Sequence, residues 1–253
     1  MNVRAVIVAA GGANFGSLRE ACRRIDIDAD VSDDPARIRN ATHVILPGVG
    51  AAAQAMRGLR ERGLDRVLER LEQPLLGVCL GMQLLYETSE EAPGTSSRHA
   101  HHPHANPPGP QAQPSGVHRR ADPWSASAPL HPLEGEGFKA KASAAIETTQ
   151  CLGLLAGTVR RLPPAPSWPH MGWNQIAFDV PAHPLLAGLD ANDWFYFVHG
   201  YAAANTAQTI ARCEHGAPFA AVVADRNICG AQFHPEKSAT AGRRLLTNFF
   251  ALT

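Results

Sequence analysis

Short apolar runs, each followed by a stretch with helical spacing, recur through the first third of the chain and limit its possible folds. Val3–Ala10, His43–Pro47 and Pro74–Cys79 read as strands, and Ser17–Ile25, Ala52–Glu72 and Gly81–Glu91 as helices. Continuous apolar runs of this kind suit strands buried on both faces. A β-α-β-α rhythm needs crossovers between parallel strands, so it predicts a parallel sheet covered by helices on both sides. The later half reads as strands at Ile176–Val180, Trp194–His199, Thr209–Cys213, Phe219–Ala224 and Ile228–Phe233, then a closing helix over Thr240–Ala251. Leu245, Leu246, Phe249 and Phe250 share one face of that helix, which predicts a core contact. At 253 residues the chain has room for one large α/β domain, and the expectation is a single domain over 1–253.

From about Ala92 to Gln150 the composition changes abruptly. Nine of the chain's 20 prolines and six of its 12 histidines fall there, with few aliphatic residues and no strand or helix period. Such a stretch buries too little apolar surface to offset its ordering entropy, so it reads as an inserted, mostly disordered surface segment. Within it, Ala140–Glu147 has the makings of one helix.

Charge excludes some partners. Lys+Arg 23 balance Asp+Glu 23, and the pI is about 7.2, which speaks against nucleic acid or an anionic membrane as a partner. No run approaches the ~18 apolar residues of a membrane span. Val6–Ala10 is too short for a signal-peptide core and is broken by Gly11-Gly12, so it reads as the first strand. Five cysteines with no CxxC pair argue against a disulfide framework or structural zinc, and for a reducing cytoplasm.

Gly77-Val78-Cys79-Leu80-Gly81 falls where a strand gives way to a helix and has the form G-x-C-x-G. Small residues permit a strained turn that lifts the central side chain clear of the backbone. Helix N–H groups beyond it favour thiolate, and the Leu80 N–H faces an oxyanion formed on a carbonyl attacked by Cys79. A buried cysteine with glycines for close packing is the alternative. Gln232-Phe233-His234-Pro235-Glu236 supplies a base: His234 ends an apolar strand, and Glu236 is placed to accept its other ring N–H. By itself that segment also fits a surface histidine at a helix start. Leu46-Pro47-Gly48-Val49-Gly50-Ala51 is a glycine loop able to turn a peptide N–H toward a ligand, and no G-K-[ST] follows to make it a phosphate loop.

LPGVG, GVCLGMQLL, PHMGWN, FYFVHGY and QFHPEKS occur in that order. With them the chain resembles the class I glutamine amidotransferases, and among these the glutaminase subunits of imidazole glycerol phosphate synthases in histidine biosynthesis. The resemblance spans Val3–Glu91 and Cys151–Leu252, and Pro169–Asn174 carries its subfamily part. It implies a flavodoxin-like three-layer α/β fold with a mixed, mostly parallel sheet. It implies Cys79 as nucleophile, His234 as base, Glu236 as orienter, and Leu80 with Val49 and Gly50 as the oxyanion hole. Gly50, Gln83, Gly200 and Tyr201 correspond to groups that hold glutamine. Asn14, Trp173, Tyr196 and Lys237 correspond to the face toward a (β/α)8-barrel cyclase, the heterodimer partner that receives ammonia. No metal or organic cofactor is implied.

The chain departs from the family's pattern in three places. Ala9-Ala10-Gly11-Gly12-Ala13-Asn14 stands where Asp-Tyr-Gly and Gly-Asn are usual, Gly200 stands where Ser or Thr is common, and the 92–150 segment is extra. His170, His183 and His215 lack metal-ligand spacing and read as satisfied polar residues, whereas His99-x-His101-His102-x-His104 suits adventitious Zn²⁺, Ni²⁺ or Cu²⁺. Cys22, Cys151, Cys213 and Cys229 read as packing residues. Two rival functions stand beside the first: a glutaminase serving another synthase, such as that of pyridoxal phosphate, and a non-catalytic subunit that keeps only the fold and partner surface.

Overall fold

The computed structural model describes residues 3–9, 14–91, 147–165 and 167–253. In chain order its elements are β1 (Ala5–Val8), α1 (Phe15–Arg23), β2 (Ala29–Ser32), α2 (Pro35–Asn40), β3 (His43–Gly48), α3 (Ala52–Glu61), α4 (Leu64–Leu68), β4 (Leu75–Cys79), α5 (Leu80–Gln83) and β5 (Tyr86–Ser89). The second part holds β6 (Thr149–Gln150), β7 (Leu155–Arg161), β8 (His170–Asn174), β9 (Ala177–Phe178), β10 (Phe195–His199), β11 (Tyr201–Ala203), β12 (Thr209–His215), β13 (Ala217–Asp225), β14 (Ile228–Ala231) and α6 (Ala239–Phe250).

The main sheet has eight strands in the order β2-β1-β3-β4-β14-β13-β12-β9. Pairing is parallel from β2 to β14 and antiparallel beyond it. The parallel part is what the alternating pattern predicts, and the mixed sheet as a whole is the one that the resemblance implies. Because side chains alternate across a strand, each inner strand feeds two cores. Ala5, Ile7, Ile45, Leu76 and Val78 join Leu18 of α1 and Leu245, Leu246 and Phe249 of α6. Val6, Val8, Val44, Leu46 and Leu75 join Ile38, Met56, Leu59, Leu64 and Val67 from α2, α3 and α4 on the other side. Two small sheets, β10-β8 and β11-β7-β5-β6, flank the main one.

Three sequence expectations are corrected. The helix expected over Gly81–Glu91 stops at Gln83, and Tyr86–Ser89 is a strand paired with β7. Its apolar residues suited either form, and tertiary pairing decided: Tyr86 is buried, with its ring against Gly157 of β7. The helix expected over Ala52–Glu72 is two helices, divided where Gly63 takes φ 65°. Of the strand expected over Ile176–Val180, only Ala177–Phe178 pair. Thr149 and Gln150, at the far edge of the proline-rich segment, pair with Ser89 and Thr88. Most of that segment, including nearly all of the helix expected over Ala140–Glu147, lies outside the described residues, and Glu147 carries no helix.

Candidate active site

β4 and β14 are parallel neighbours with Val78 opposite Ala231. The chain therefore leaves both strands at the same edge, with Cys79 ending one and Gln232-Phe233-His234 following the other. Loops and sites gather at this carboxyl edge in open α/β sheets. Cys79 sits at φ 54°, ψ −113°, a left-handed backbone that a side-chain-bearing residue adopts only under constraint. The glycines supply that constraint. A Cβ at Gly77 would lie 2.7 Å from the Met82 backbone, one at Gly48 would lie 2.8 Å from the Gly81 nitrogen, and one at Gly81 would collide with the Leu46 carbonyl. The turn closes only with bare backbone at all three. The thiol is buried, and its S–H donates to the Val198 carbonyl at 3.7 Å.

α5 is four residues long, so the dipole expected behind the sulfur is that of a single turn. As the first residue of α5, Leu80 has an N–H with no carbonyl partner inside the helix. Gly48 pairs with Cys79 across β3-β4, which puts the glycine loop directly beside the Cys79 turn. In that loop Gly50 takes φ 91°, with no atom within 4 Å of its Cβ position, and Val49 is 40% exposed.

His234 is held by backbone and side chain alike. Its N–H donates to the Tyr196 carbonyl at 2.9 Å, and its own carbonyl accepts the Ser238 hydroxyl at 2.7 Å. A 3-10 turn over Pro235–Lys237 folds Glu236 back, and Nδ1–H of the ring donates to Glu236 Oε1 at 2.8 Å. Burial alone would lower this imidazole. The Cys79 sulfur, by its charge once it has lost its proton and by its hydrogen bond, and then Glu236 outweigh it and hold the group up at about 10. Sulfur, imidazole and carboxylate thus form the contiguous set that the sequence assigns to nucleophile, base and orienter.

Gln83 is buried and donates to the Tyr201 carbonyl at 2.8 Å and to Gln232 Oε1 at 3.0 Å. Gln232 in turn donates to Cys79 Sγ at 3.9 Å. The structure thereby joins Gln83 and Tyr201 to the sulfur through Gln232, a residue that the sequence reading passed over although it stands two places before His234. Gly200 is covered: a Cβ there would lie 2.8 Å from Cζ2 of Trp168, whose indole also carries Arg161 at 4.4 Å. The indole takes the volume that a serine or threonine would need. Glu91 is a second omission. Ala51 offers no capping side chain to α3, and the buried Glu91 carboxylate accepts the Ala52 N–H at 2.9 Å, fixing the far end of the glycine loop. The uncapped start of α3 was the available signal.

Trp173 and Tyr196 are cross-strand partners with ring centroids 5.7 Å apart, and Lys237 Nζ lies 5.6 Å from the Tyr196 ring centre. Asn14 caps α1 by accepting the Ser17 N–H at 3.2 Å, and α1 packs beside the Pro235–Lys237 turn. Burial pushes the thiols of Cys22, Cys213 and Cys229 up to about 12 and that of Cys151 up to about 11, as packing residues require. His183 caps a turn by accepting the Leu185 N–H. The His99–His104 cluster lies outside the described residues. Among the described residues no helix is long and apolar enough to cross a membrane.

The sequence profile described as Glutamine amidotransferase class-I matches residues 13–252. The imidazole glycerol phosphate synthase subunit HisH of Xanthomonas euvesicatoria is 41% identical over 249 residues, covering 98% of this chain and 96% of that protein. The protein of the same name from Xylella fastidiosa is 39% identical, with 97% and 96% covered. A putative GMP synthase component from Thermoplasma acidophilum superposes with a TM-score of 0.61 at 13% identity, with 99% and 94% covered. A solved glutamine amidotransferase does so with 0.59 at 17%, with 98% and 97% covered, and these two likenesses bear on the fold. The chain belongs to the class I glutamine amidotransferase family, in the branch of the imidazole glycerol phosphate synthase HisH subunits.

Proposed function

We propose that this chain hydrolyses glutamine and hands the ammonia to a cyclase subunit that makes imidazole glycerol phosphate in histidine biosynthesis. The observation that carries the reading is the buried His234–Glu236 pair, 2.8 Å long, beside a buried thiol on a strained strand-to-helix turn. A thiol that only packs has no reason to sit at a strained turn facing a charged imidazole, so the non-catalytic alternative loses its ground.

The chemistry follows from these groups. Cys79 gives its S–H proton to His234 Nε2 as Sγ attacks the side-chain carbonyl carbon of glutamine, and the carbonyl oxygen takes the negative charge. The Leu80 N–H and a peptide N–H of the Val49-Gly50 segment receive that oxyanion. The C–N bond breaks as His234 gives its proton to the leaving nitrogen, leaving a γ-glutamyl thioester and ammonia. The neutral imidazole then takes a proton from water, hydroxide adds to the thioester carbon, and the C–S bond breaks to release glutamate. Glu236 keeps the Nδ1 proton in place, so that Nε2 is the nitrogen exchanging with substrate. Gln83, Gly200 and Tyr201 hold the glutamine.

Trp173, Tyr196, Lys237 and Asn14 form the partner face, and a (β/α)8-barrel cyclase is the partner, placed to take ammonia without its escape to water. Free thiols at all five cysteines fit a cytoplasmic setting. The test is glutamate release by the chain mixed with a barrel cyclase and its nucleotide substrate. Cys79→Ala should abolish glutamine-dependent product formation while free ammonia is still accepted. Unchanged glutamine-dependent turnover in that variant would overturn the assignment.

A further inference from the structure

Two further histidines lie beside this site without a place in the mechanism above. His170 and His199 occupy directly opposed positions of β8 and β10, where cross-strand side chains meet. His199 directly follows Val198, the residue whose carbonyl accepts the Cys79 S–H. Their faces pack on Phe197, Phe219 and the ring of His215, and all four ring nitrogens meet polar groups: His199 Nδ1 lies 2.9 Å from the Tyr201 carbonyl, His199 Nε2 lies 3.0 Å from His170 Nδ1, and His170 Nε2 lies 3.3 Å from Asn174 Nδ2.

These partners fix every proton. A carbonyl only accepts, so His199 Nδ1 carries its hydrogen. Burial, with the other histidines nearby, lowers His199 to about 3 and His170 to about 2, so both rings are neutral. His199 Nε2 is therefore an acceptor, His170 Nδ1 donates to it, and His170 Nε2 accepts from the Asn174 amide. Asn174 Nδ2 also donates to the Glu214 carbonyl, and its Oδ1 accepts the Gln175 N–H, which leaves no freedom to flip. The result is a one-way relay: Asn174 to His170 to His199 to the Tyr201 carbonyl. That same carbonyl accepts Gln83 at 2.8 Å, and Gln83 is tied through Gln232 to Cys79 Sγ.

We propose that His170 and His199 are positioning residues for glutamine hydrolysis, coupling strand β8 to the Gln83–Gln232 pair behind Cys79. The inference rests on the reading of Cys79 as the nucleophile. It gives the Pro169–Asn174 segment an inward role, since Trp173 on that strand belongs to the proposed partner face while His170 and Asn174 begin the relay. A shift of β8 would alter the two-donor seat of the Tyr201 carbonyl, and through Gln83 the amide that reaches the sulfur.

The test compares His170→Leu, which removes the donor to His199, with His170→Asn, whose amide N–H stands near the place of Nδ1. Both are assayed in complex with the cyclase and its nucleotide. His170→Leu should lower glutaminase kcat about tenfold, the scale of one lost hydrogen bond, and His170→Asn should regain most of it. His170→Leu combined with Gln232→Leu should lose little more than Gln232→Leu does by itself, because both cut one chain. Iodoacetamide should alkylate Cys79 of the isolated chain more slowly in His170→Leu than in His170→Asn.

Wild-type kcat in His170→Leu, equal kcat in the two single variants, or fully additive losses in the double variant would each overturn the proposal. Loss of melting temperature without the Asn rescue would mark a purely structural role. If the wild-type complex releases no glutamate, the glutaminase reading fails, and the alkylation order still decides whether the relay reaches the sulfur.

Discussion

His234 and His199 are both buried, both end or follow a strand, and both stand close to Cys79, yet they hold opposite proton states. His234 presents one nitrogen to a carboxylate and the other to the sulfur, so the cation's lost hydration is replaced by negative charge and its proton is kept to about 10. His199 presents one nitrogen to a carbonyl and the other to a second imidazole; burial, with His215 and His234 nearby, outweighs what the Tyr201 carbonyl offers a cation, and it falls to about 3. Burial penalises both cations. The nitrogen's partner decides the outcome and the role that follows from it. In the proposed mechanism one ring gives and takes protons, and the other is a fixed directional donor.

The strongest way to break the comparison is to take the carboxylate from His234. Glu236→Gln keeps the shape of the pair and removes its charge, so the imidazole no longer has a fixed tautomer or a stabilised cation. Glutaminase kcat/KM with cyclase bound should fall about 100-fold, the scale of one general acid–base group. His199 should stay neutral in the same variant, which its ring nitrogen shifts in NMR would report. A loss below about threefold would mean that Glu236 is not what makes His234 differ, since a general acid–base group is worth far more than that.

How much of this could be read from the sequence differs between the two regions. Cys79 and His234 were legible because each follows an apolar strand and is punctuated by residues with a steric purpose, Gly77 and Gly81 around one and Pro235 after the other. The main sheet was legible for the same reason: continuous apolar runs survive as β1, β3 and β4. β5 was misread, since the apolar pattern of Leu84, Leu85 and Tyr86 serves a helix or a strand equally and pairing with β7 settled it. β7 and β8 went unseen because they carry half-exposed, mixed sequences whose register depends on a distant partner, and β11 because its three residues are too few to show a period. The relay was invisible for that reason too. His170 and Asn174 share β8, while His199, Gln83 and Gln232 come from distant stretches, and the network closes only when β8 pairs with β10.

The opposite proton states also predict opposite pH signatures of stability. His234 is raised from 6.5 to about 10, so its contribution is complete below about 6.5 and is lost as pH climbs through 10. His199 is lowered from 6.5 to about 3, so the unfolded chain binds the extra proton first and stability falls as pH drops from about 6.5 toward 3. The melting-temperature gap between wild type and His234→Asn should therefore shrink from pH 7 to pH 10. His199→Asn should instead flatten the acid limb between pH 6.5 and 4. Parallel pH curves for wild type and both variants would remove the electrostatic basis of the comparison.

The smallest effect is expected from a change that touches neither histidine. Ser89 pairs with Thr149 and Thr88 with Gln150, and the Thr149 hydroxyl donates to the Glu91 carbonyl at 3.3 Å, so both ends of the proline-rich segment meet on one two-strand stem. A stem that closes itself lets the intervening residues be replaced by a short Gly/Ser linker, and loop length adds only slowly to the closure cost. The replacement must spare Glu91 and Thr149, because the Glu91 carboxylate holds the start of α3 just beyond the Val49-Gly50 loop. Replacing residues 92–146 should leave cyclase-coupled glutaminase activity within a few-fold of the parent and stability within about 1–2 kcal/mol, the scale of a surface edit. The NMR titrations of His234 and His199 should overlay those of the parent. A replacement extended through Glu91 should do far worse, with activity falling before stability as the Val49-Gly50 loop loses its anchor. Large loss of coupled activity or of cyclase binding from the 92–146 replacement itself would show that the segment acts on the site or the partner.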